Sequence, residues 1–192
     1  MSKKSFIVFI AITLCCVGVS RAQIVALKTD VLGWATASFN IEPEVRIGKK
    51  ATLALGVSYN PWTFNDANMK WKHIFVQPEF RFWTCHAFDG HFFGIHPFYA
   101  HYNIGGIRTG IGFLQDIEKY RHQGDAFGLG VGYGYHWIIT PHFSMEAELG
   151  VGVAYADGIY HYAEVCGSYI GEERRWVFMP TKLSVSFIYV IR

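Results

Sequence analysis

The most regular feature of this chain is alternation. From Phe39 to Ile47 the odd positions are Phe39, Ile41, Pro43, Val45 and Ile47, and the even ones Asn40, Glu42, Glu44 and Arg46. From Phe127 to Trp137 one face reads Phe127, Leu129, Val131, Tyr133, Tyr135, Trp137; the other reads Gly128, Gly130, Gly132, Gly134, His136. From Phe143 to Tyr155, Phe143, Met145, Ala147, Leu149, Val151, Val153 and Tyr155 oppose Ser144, Glu146, Glu148, Gly150, Gly152 and Ala154. A period of two is the mark of β-strands with unlike faces. Residues 24–32, 51–59, 72–83, 92–104 and 181–190 follow the same rule, which predicts eight strands and no helix long enough to compete.

The connections alternate in length. Short turns fall at Gly48-Lys49-Lys50, Ala87-Phe88-Asp89-Gly90 and Thr140-Pro141-His142, and longer loops at 60–71, 105–124 and 156–180, with a shorter one near 33–38. Short turns at one end and long loops at the other are the habit of transmembrane β-barrels. The expected fold is therefore all-β, an eight-stranded antiparallel up-and-down transmembrane β-barrel. Pro43, Pro78 and Pro97 fall inside expected strands, where a closed barrel offers no edge, so each is expected at a bulge or a strand end.

Composition sharpens this picture. Of 192 residues, 51% are hydrophobic and only 17% charged, against about 25% in globular domains. The mean hydropathy is +0.17, yet the body of the chain has no apolar run of about 20 residues, which excludes a helical membrane protein. Residues 1–22 read as a cleaved signal peptide. Lys3 and Lys4 precede an apolar stretch from Phe6 to Val19, and Ser20-Arg21-Ala22 supplies small residues before the cut,. That stretch is too short for an anchor, and Cys15 and Cys16 lack the small preceding residue of a lipoprotein signal. Residues 23–192 form the barrel domain. Losing Lys3, Lys4 and Arg21 turns the net charge from +2 to −1, and the remaining basic residues form no stripe for nucleic acid.

Two barrels carry such alternation, one the inside-out form of the other. A lipocalin-like periplasmic carrier turns its apolar face inward; an outer-membrane barrel turns it to lipid. Spaced glycines on the polar face make room inside a narrow lumen for long charged side chains, which favours the membrane form. Lys28, Asp30, Glu42, Glu44, Arg46, Glu79, Arg81, Glu146, Glu148 and Lys182 are then expected to form an interior charge network that leaves no channel. Trp34, Trp62, Trp71, Trp83, Trp137 and Trp176 fall at expected strand ends, as membrane-interface girdles require.

Candidate chemistry is sparse. His91, His96 and His101 recur every five residues, which puts neighbours on opposite faces, so no metal or cofactor is expected. His142-Phe143-Ser144 has the His-x-Ser spacing of eight-stranded lipid A deacylases, with Glu146 as the nearest acid, but it sits beside a periplasmic turn and not at the outer leaflet. An outer-membrane lipid-modifying enzyme is therefore the least favoured reading. Gly128 to Gly134 lies in a strand pattern and opens no helix, so it is no phosphate cradle. Cys85 and Cys166 are expected at opposite ends of the barrel, too far apart to bond.

Several stretches carry a resemblance: Asn60-Pro61-Trp62-Thr63-Phe64, Lys70-Trp71-Lys72-His73, Val76-Gln77-Pro78-Glu79, Gly90-His91-Phe92-Phe93-Gly94, Tyr102-Asn103-Ile104-Gly105-Gly106 and Pro180-Thr181-Lys182. In this order they resemble small secreted Bacteroidetes proteins grouped as a domain of unknown function, often encoded beside fimbrillin-type genes. The resemblance implies an outer-membrane barrel of OmpA or OmpX shape with no assigned activity. Met179, where a glycine is expected, and the terminal Arg192 depart from it. The expected partners are outer-membrane lipids and a surface or fimbrial protein. The latter would meet the long loops, whose neighbourhood carries Tyr99, Tyr120, Tyr160, Tyr162 and Tyr169.

Overall fold

A computed structural model describes residues 24–64, 69–106, 120–162 and 167–191. The chain runs β1 (Val25–Asp30), α1 (Val31–Ala35), β2 (Phe39–Arg46), β3 (Ala51–Asn60), β4 (Thr63–Phe64), β5 (Met69–Trp83), β6 (Gly90–Gly105), β7 (Tyr120–Ile138), β8 (Phe143–Tyr162) and β9 (Tyr169–Ile191). Each strand pairs antiparallel with its neighbour. β1 pairs with β9, and β3 pairs with β5, so eight strands form one ring. β4 is a two-residue addition paired to the start of β5. The signal-peptide boundary and Cys166 lie outside the described residues.

Alternation sets the register. β7 and β8 pair without interruption from Tyr120↔Tyr162 to Ile138↔Ser144, which keeps every glycine of β7 on one face. Both described termini and the short turns gather at one end: Val25 lies opposite Ile191, Arg46 N donates to Ile24 O, Ala87 N to Lys49 O and Val190 N to His142 O.

Three expectations need correction. β7, β8 and β9 are longer than their apolar stretches, so residues 120–124, 156–162 and 169–180 are strand and not loop. Tyr120, Tyr160, Tyr162 and Tyr169 therefore sit on strands. Helix α1 follows β1 directly, because Asp30 caps it by accepting from Leu32 N and Gly33 N at 3.1 Å,. The prolines lie mid-strand and not at bulges or ends. The β5–β6 ladder runs to Val76↔Tyr99 and resumes at Phe80↔Ile95 in unchanged register, which sets Pro78 opposite Pro97. Two residues that cannot donate share one gap in the ladder, so neither strand needs an extra residue. The bulges are elsewhere, on β9 at Thr181 and Ile170.

Candidate functional site

Alternation delivers charges to the lumen from five strands: Lys28 from β1, Glu42 and Glu44 from β2, Glu79 and Arg81 from β5, Glu146 and Glu148 from β8, and Lys182 from β9. Arg81 is wholly buried and touches all five glutamates. Its Nη2 lies 2.9 Å from Glu42 Oε1 and 2.7 Å from Glu148 Oε2, and its Nη1 lies 3.0 Å from Glu44 Oε2 and 2.9 Å from Glu146 Oε1. Its Nε donates to Glu79 Oε2 at 2.8 Å. Guanidinium carries five N–H donors in a fixed fork, which lysine cannot imitate. Lys28 Nζ bonds Glu146 at 3.0 Å and pairs with Glu44, while Lys182 Nζ reaches Glu79 Oε2 at 2.6 Å, Glu42 at 3.1 Å and Glu148 at 3.2 Å.

Two residues that the sequence reading did not place here join the network. His136 Nδ1 lies 3.3 Å from Glu146 Oε2. His96 is fully buried; its Nε2 bonds Thr181 Oγ1 at 2.8 Å, and its Nδ1 lies 3.4 Å from Glu79 Oε1. Their parity with the inward glycines of β6 and β7 was the available signal. His91 and His101 face outward, as the five-residue spacing implies. Glu79, His96 and Glu148 each bring one potential ligand atom within 4.8 Å of the others, and Glu79 Oε1, His96 Nδ1 and Glu148 Oε1 have no hydrogen-bond partner among the described residues.

The other anticipated interior residues differ. Asp30 belongs to no ion pair among the described residues: besides capping α1, it accepts from Val185 N at 3.0 Å and so ties α1 to β9. Arg46 keeps the inward parity of β2 at its turn end and is half-buried.

The tryptophans divide. Trp34, Trp62, Trp137 and Trp176 are exposed; Trp62 Nε1 donates to Ala37 O at 3.0 Å. Trp71 is half-buried on the inward parity of β5, 6.4 Å from the His73 ring. Trp83 is not an interface residue: it is 0% exposed and closes the turn end of the lumen. It shares parity with Glu79 and Arg81, and its Nε1 donates to Thr52 Oγ1 at 2.9 Å, which satisfies the buried indole. Phe92, Phe88, Ala26, Ile188 and Val190 pack with it as a floor. Phe88 holds φ +67° in its turn, a strained conformation for an aromatic residue, compensated by packing 5.7 Å from Trp83,. Arg81 stands 4.6 Å over the Phe92 ring, so floor and network are joined by a cation–π contact.

Above the network the lumen widens into a cavity of about 680 Å³, floored by Glu42 and Lys182 and walled by Phe75, Phe98, Ala126 and Val177. At its rim His122 Nδ1 lies 3.0 Å from Glu173 Oε2.

Outward, the face is apolar. Leu129, Val131, Leu149, Phe178 and Leu183 are each more than half exposed. Tyr99, Phe127, Tyr155 and Trp176 are opposite one another on four successive strands, and the next outward row is His101, Asp125, Asp157 and Arg174. In that row Asp125 accepts from Tyr99 Oη at 2.5 Å and lies 2.9 Å from His101 Nδ1, and Arg174 Nε donates to Asp157 at 3.2 Å.

The His-x-Ser pair is split: Ser144 is buried in the lumen, while His142 stacks on Tyr189 in the turn. Among curated proteins compared with the chain, none matches. One family model, described as protein of unknown function (DUF3575), matches residues 7–191. That match spans nearly the whole sequence, ring and lumen alike, and the chain belongs to this family.

Proposed function

We propose that this protein is a small outer-membrane β-barrel, exported by its N-terminal signal, with a charge-filled and non-conducting interior and a structural or surface-interaction role. The observation that carries the reading is the division of faces. Large apolar side chains are exposed all round the outside, and the lumen holds five glutamates, three cations and two histidines. A lipocalin-like carrier turns its apolar face inward along its strands; here the inward face carries the charge network, with apolar walls in the cavity above it and the floor below it.

Dimensions support it. On β7 the outward apolar positions run from Phe127 to Trp137. Ten residue steps rise about 34 Å along a strand, or about 25 Å across a membrane at a tilt of roughly 40°, the height of a lipid-facing band. Tyr99, Phe127, Tyr155 and Trp176 bound it at one end, where indole and phenol sit at the headgroups. The charged row with Asp125 and Arg174 then lies beyond the lipid.

The extensions of β5 to β9 past this row form a ledge. There Tyr120 lies 6.1 Å from Tyr160 and 5.8 Å from Tyr162, and His161 lies 5.7 Å from Tyr169. Tyr162 and Tyr169 are exposed and Tyr120 and Tyr160 half-buried beside them, a cluster that suits contact with a protein or glycan,. We assign the partner surface to this ledge, with a surface or fimbrial protein as occupant, in keeping with the Bacteroidetes resemblance. Fractionation tests the reading. The protein should require detergent for extraction and migrate faster on a gel before boiling than after. Release as a soluble periplasmic protein would overturn it.

A further inference from the structure

We propose that Glu79, His96 and Glu148 form a site for one divalent transition-metal cation of the zinc class, ligated through Glu79 Oε1, His96 Nδ1 and Glu148 Oε1. Three strands bring these residues together: Glu79 from β5, His96 from β6 and Glu148 from β8. All three are at least 97% buried. In each of these residues the atom named has no hydrogen-bond partner among the described residues, and one ligand atom from each of the three lies within 4.8 Å of the others. Zinc bonds nitrogen and oxygen at about 2.0–2.2 Å, so ligand atoms around it stand roughly 3–4 Å apart. A small inward shift closes the difference.

The outer contacts are arranged as a ligating trio requires. Each glutamate spends its other oxygen on cations: Oε2 of both Glu79 and Glu148 is held by Arg81 and Lys182. That leaves Oε1 of each turned toward the imidazole. His96 spends Nε2 on Thr181 Oγ1 at 2.8 Å. With the Nε2–H donated to threonine, Nδ1 presents its lone pair to the site, the tautomer a metal ligand needs. Thr181 is the extra residue of the β9 bulge, so the bulge places the hydroxyl.

Glycines keep the space open. A Cβ on Gly94 would lie 2.9 Å from Glu79 Cδ, one on Gly132 would lie 2.7 Å from Glu148 Oε1, and one on Gly150 would lie 2.8 Å from His96 Cε1. A Cβ on Gly130 would meet His96 Nε2 and Thr181 Oγ1.

Charge is an independent argument. Among the described residues the ion pairs around Arg81 join five carboxylates to three fixed cations, Lys28, Arg81 and Lys182, so carboxylates outnumber cations there in a medium that tolerates no unpaired charge,. One divalent cation closes that account, and an imidazole with two carboxylate oxygens favours zinc-class ions over calcium or magnesium. The competing solution is two bound protons in place of the cation.

The site is enclosed, so the test loads it during folding. The full-length mature chain is folded in detergent with Zn²⁺ or with chelator, fold is scored by heat-modifiable migration, and metal is counted after gel filtration. The expected result is one zinc per chain, with X-ray absorption showing one imidazole nitrogen among oxygen ligands and Co²⁺ in its place giving visible d–d bands. His96→Gln and Glu148→Gln should each lower zinc affinity at least about tenfold. Thr181→Val, which removes only the orienting hydroxyl, should lower it about tenfold. The outward His91→Gln should change nothing. Folding without retained zinc means protons balance the network and overturns the proposal. So does zinc retention that survives His96→Gln or falls with His91→Gln, since both indicate surface histidines. Should a variant fail to fold, the wild-type absorption spectrum decides the matter alone.

Discussion

Arg81 Nη2 and Glu148 Oε2 lie 2.7 Å apart although 67 residues separate them in the chain. The distance expresses what the barrel does with its charges: one guanidinium from β5 is the shared counterion of carboxylates from β2, β5 and β8. Replacing Arg81 by Met leaves those carboxylates facing one another without their hub. Breaking a buried pair costs about 3–5 kcal/mol, and Arg81→Met should lose at least that much, read as a fall in the urea midpoint of the gel-mobility shift. Arg81→Lys should recover only part, because an ammonium cannot span five acceptors.

The glycines give a paired test. A Cβ on Gly152 would lie 2.6 Å from Gly130 Cα and would also meet Leu129 O, both backbone atoms of the adjoining strand that cannot move aside. Gly152→Ala should cost about 1–3 kcal/mol. At Gly48 the nearest atom is Ala51 Cβ at 3.5 Å, so Gly48→Ala should stay within about 0.5 kcal/mol. Urea titration of both variants checks the contrast.

Cysteine labelling reads orientation. Cys85 is exposed at the turn end of the barrel, while Cys166 falls between Tyr162 of β8 and Tyr169 of β9, whose ends are at the other pole. In intact cells a membrane-impermeant maleimide should modify Cys166, and Cys85 should react only after the envelope is opened. The reverse pattern would invert the proposed orientation. A Cys85–Cys166 disulfide detected by mass spectrometry would refute the topology itself, since about 7 Å between Cα atoms is the limit.

Acid should weaken the outer polar row. The Tyr99 hydroxyl, and then His101, hold the Asp125 carboxyl below the ordinary aspartate value of 3.8. The unfolded chain therefore takes up this proton first. The stabilisation is complete above the unfolded value and drains away as pH falls through the folded one. Asp125 is exposed, so the effect is small and screened by salt. Urea midpoints at about pH 3 and pH 5 should differ less in Asp125→Asn than in the unaltered protein, most visibly at low salt.

Much of this architecture is legible in the sequence, because a period of two maps directly onto two faces. Glu42, Glu44, Glu79, Arg81, Glu146, Glu148, Lys28 and Lys182 all reach the lumen through parity alone. The same parity places Trp83 inside with Arg81, but its position near a strand end suggested the interface; end position is the weaker indicator in a barrel whose lumen needs a floor. Strand ends were hidden for another reason. Beyond Phe127, Tyr155 and Trp176 the strands of β7, β8 and β9 leave the apolar band, so both faces become polar or aromatic and the alternation disappears while the hydrogen bonding continues. Asp30 resembled an interior acid until α1 claimed its carboxylate as a cap. The gathering of His96 with Glu79 and Glu148 depends on three strands and a bulge at Thr181, which no local pattern reports.

Lys28 on β1 bonds Glu146 on β8, the seventh of the ring's eight strands in chain order, across the last one, β9, which lies between them in the wall. Lys28 thus meets Glu44 within the first hairpin but gains Glu146 only when the chain's final strand has arrived. Until then, a partly assembled sheet holds naked charge on the face that must close. Completing the network and closing the ring are therefore one event, and a half-made barrel lacks the pairs that Lys28 makes with Glu146 and that Lys182 makes with Glu42, Glu79 and Glu148.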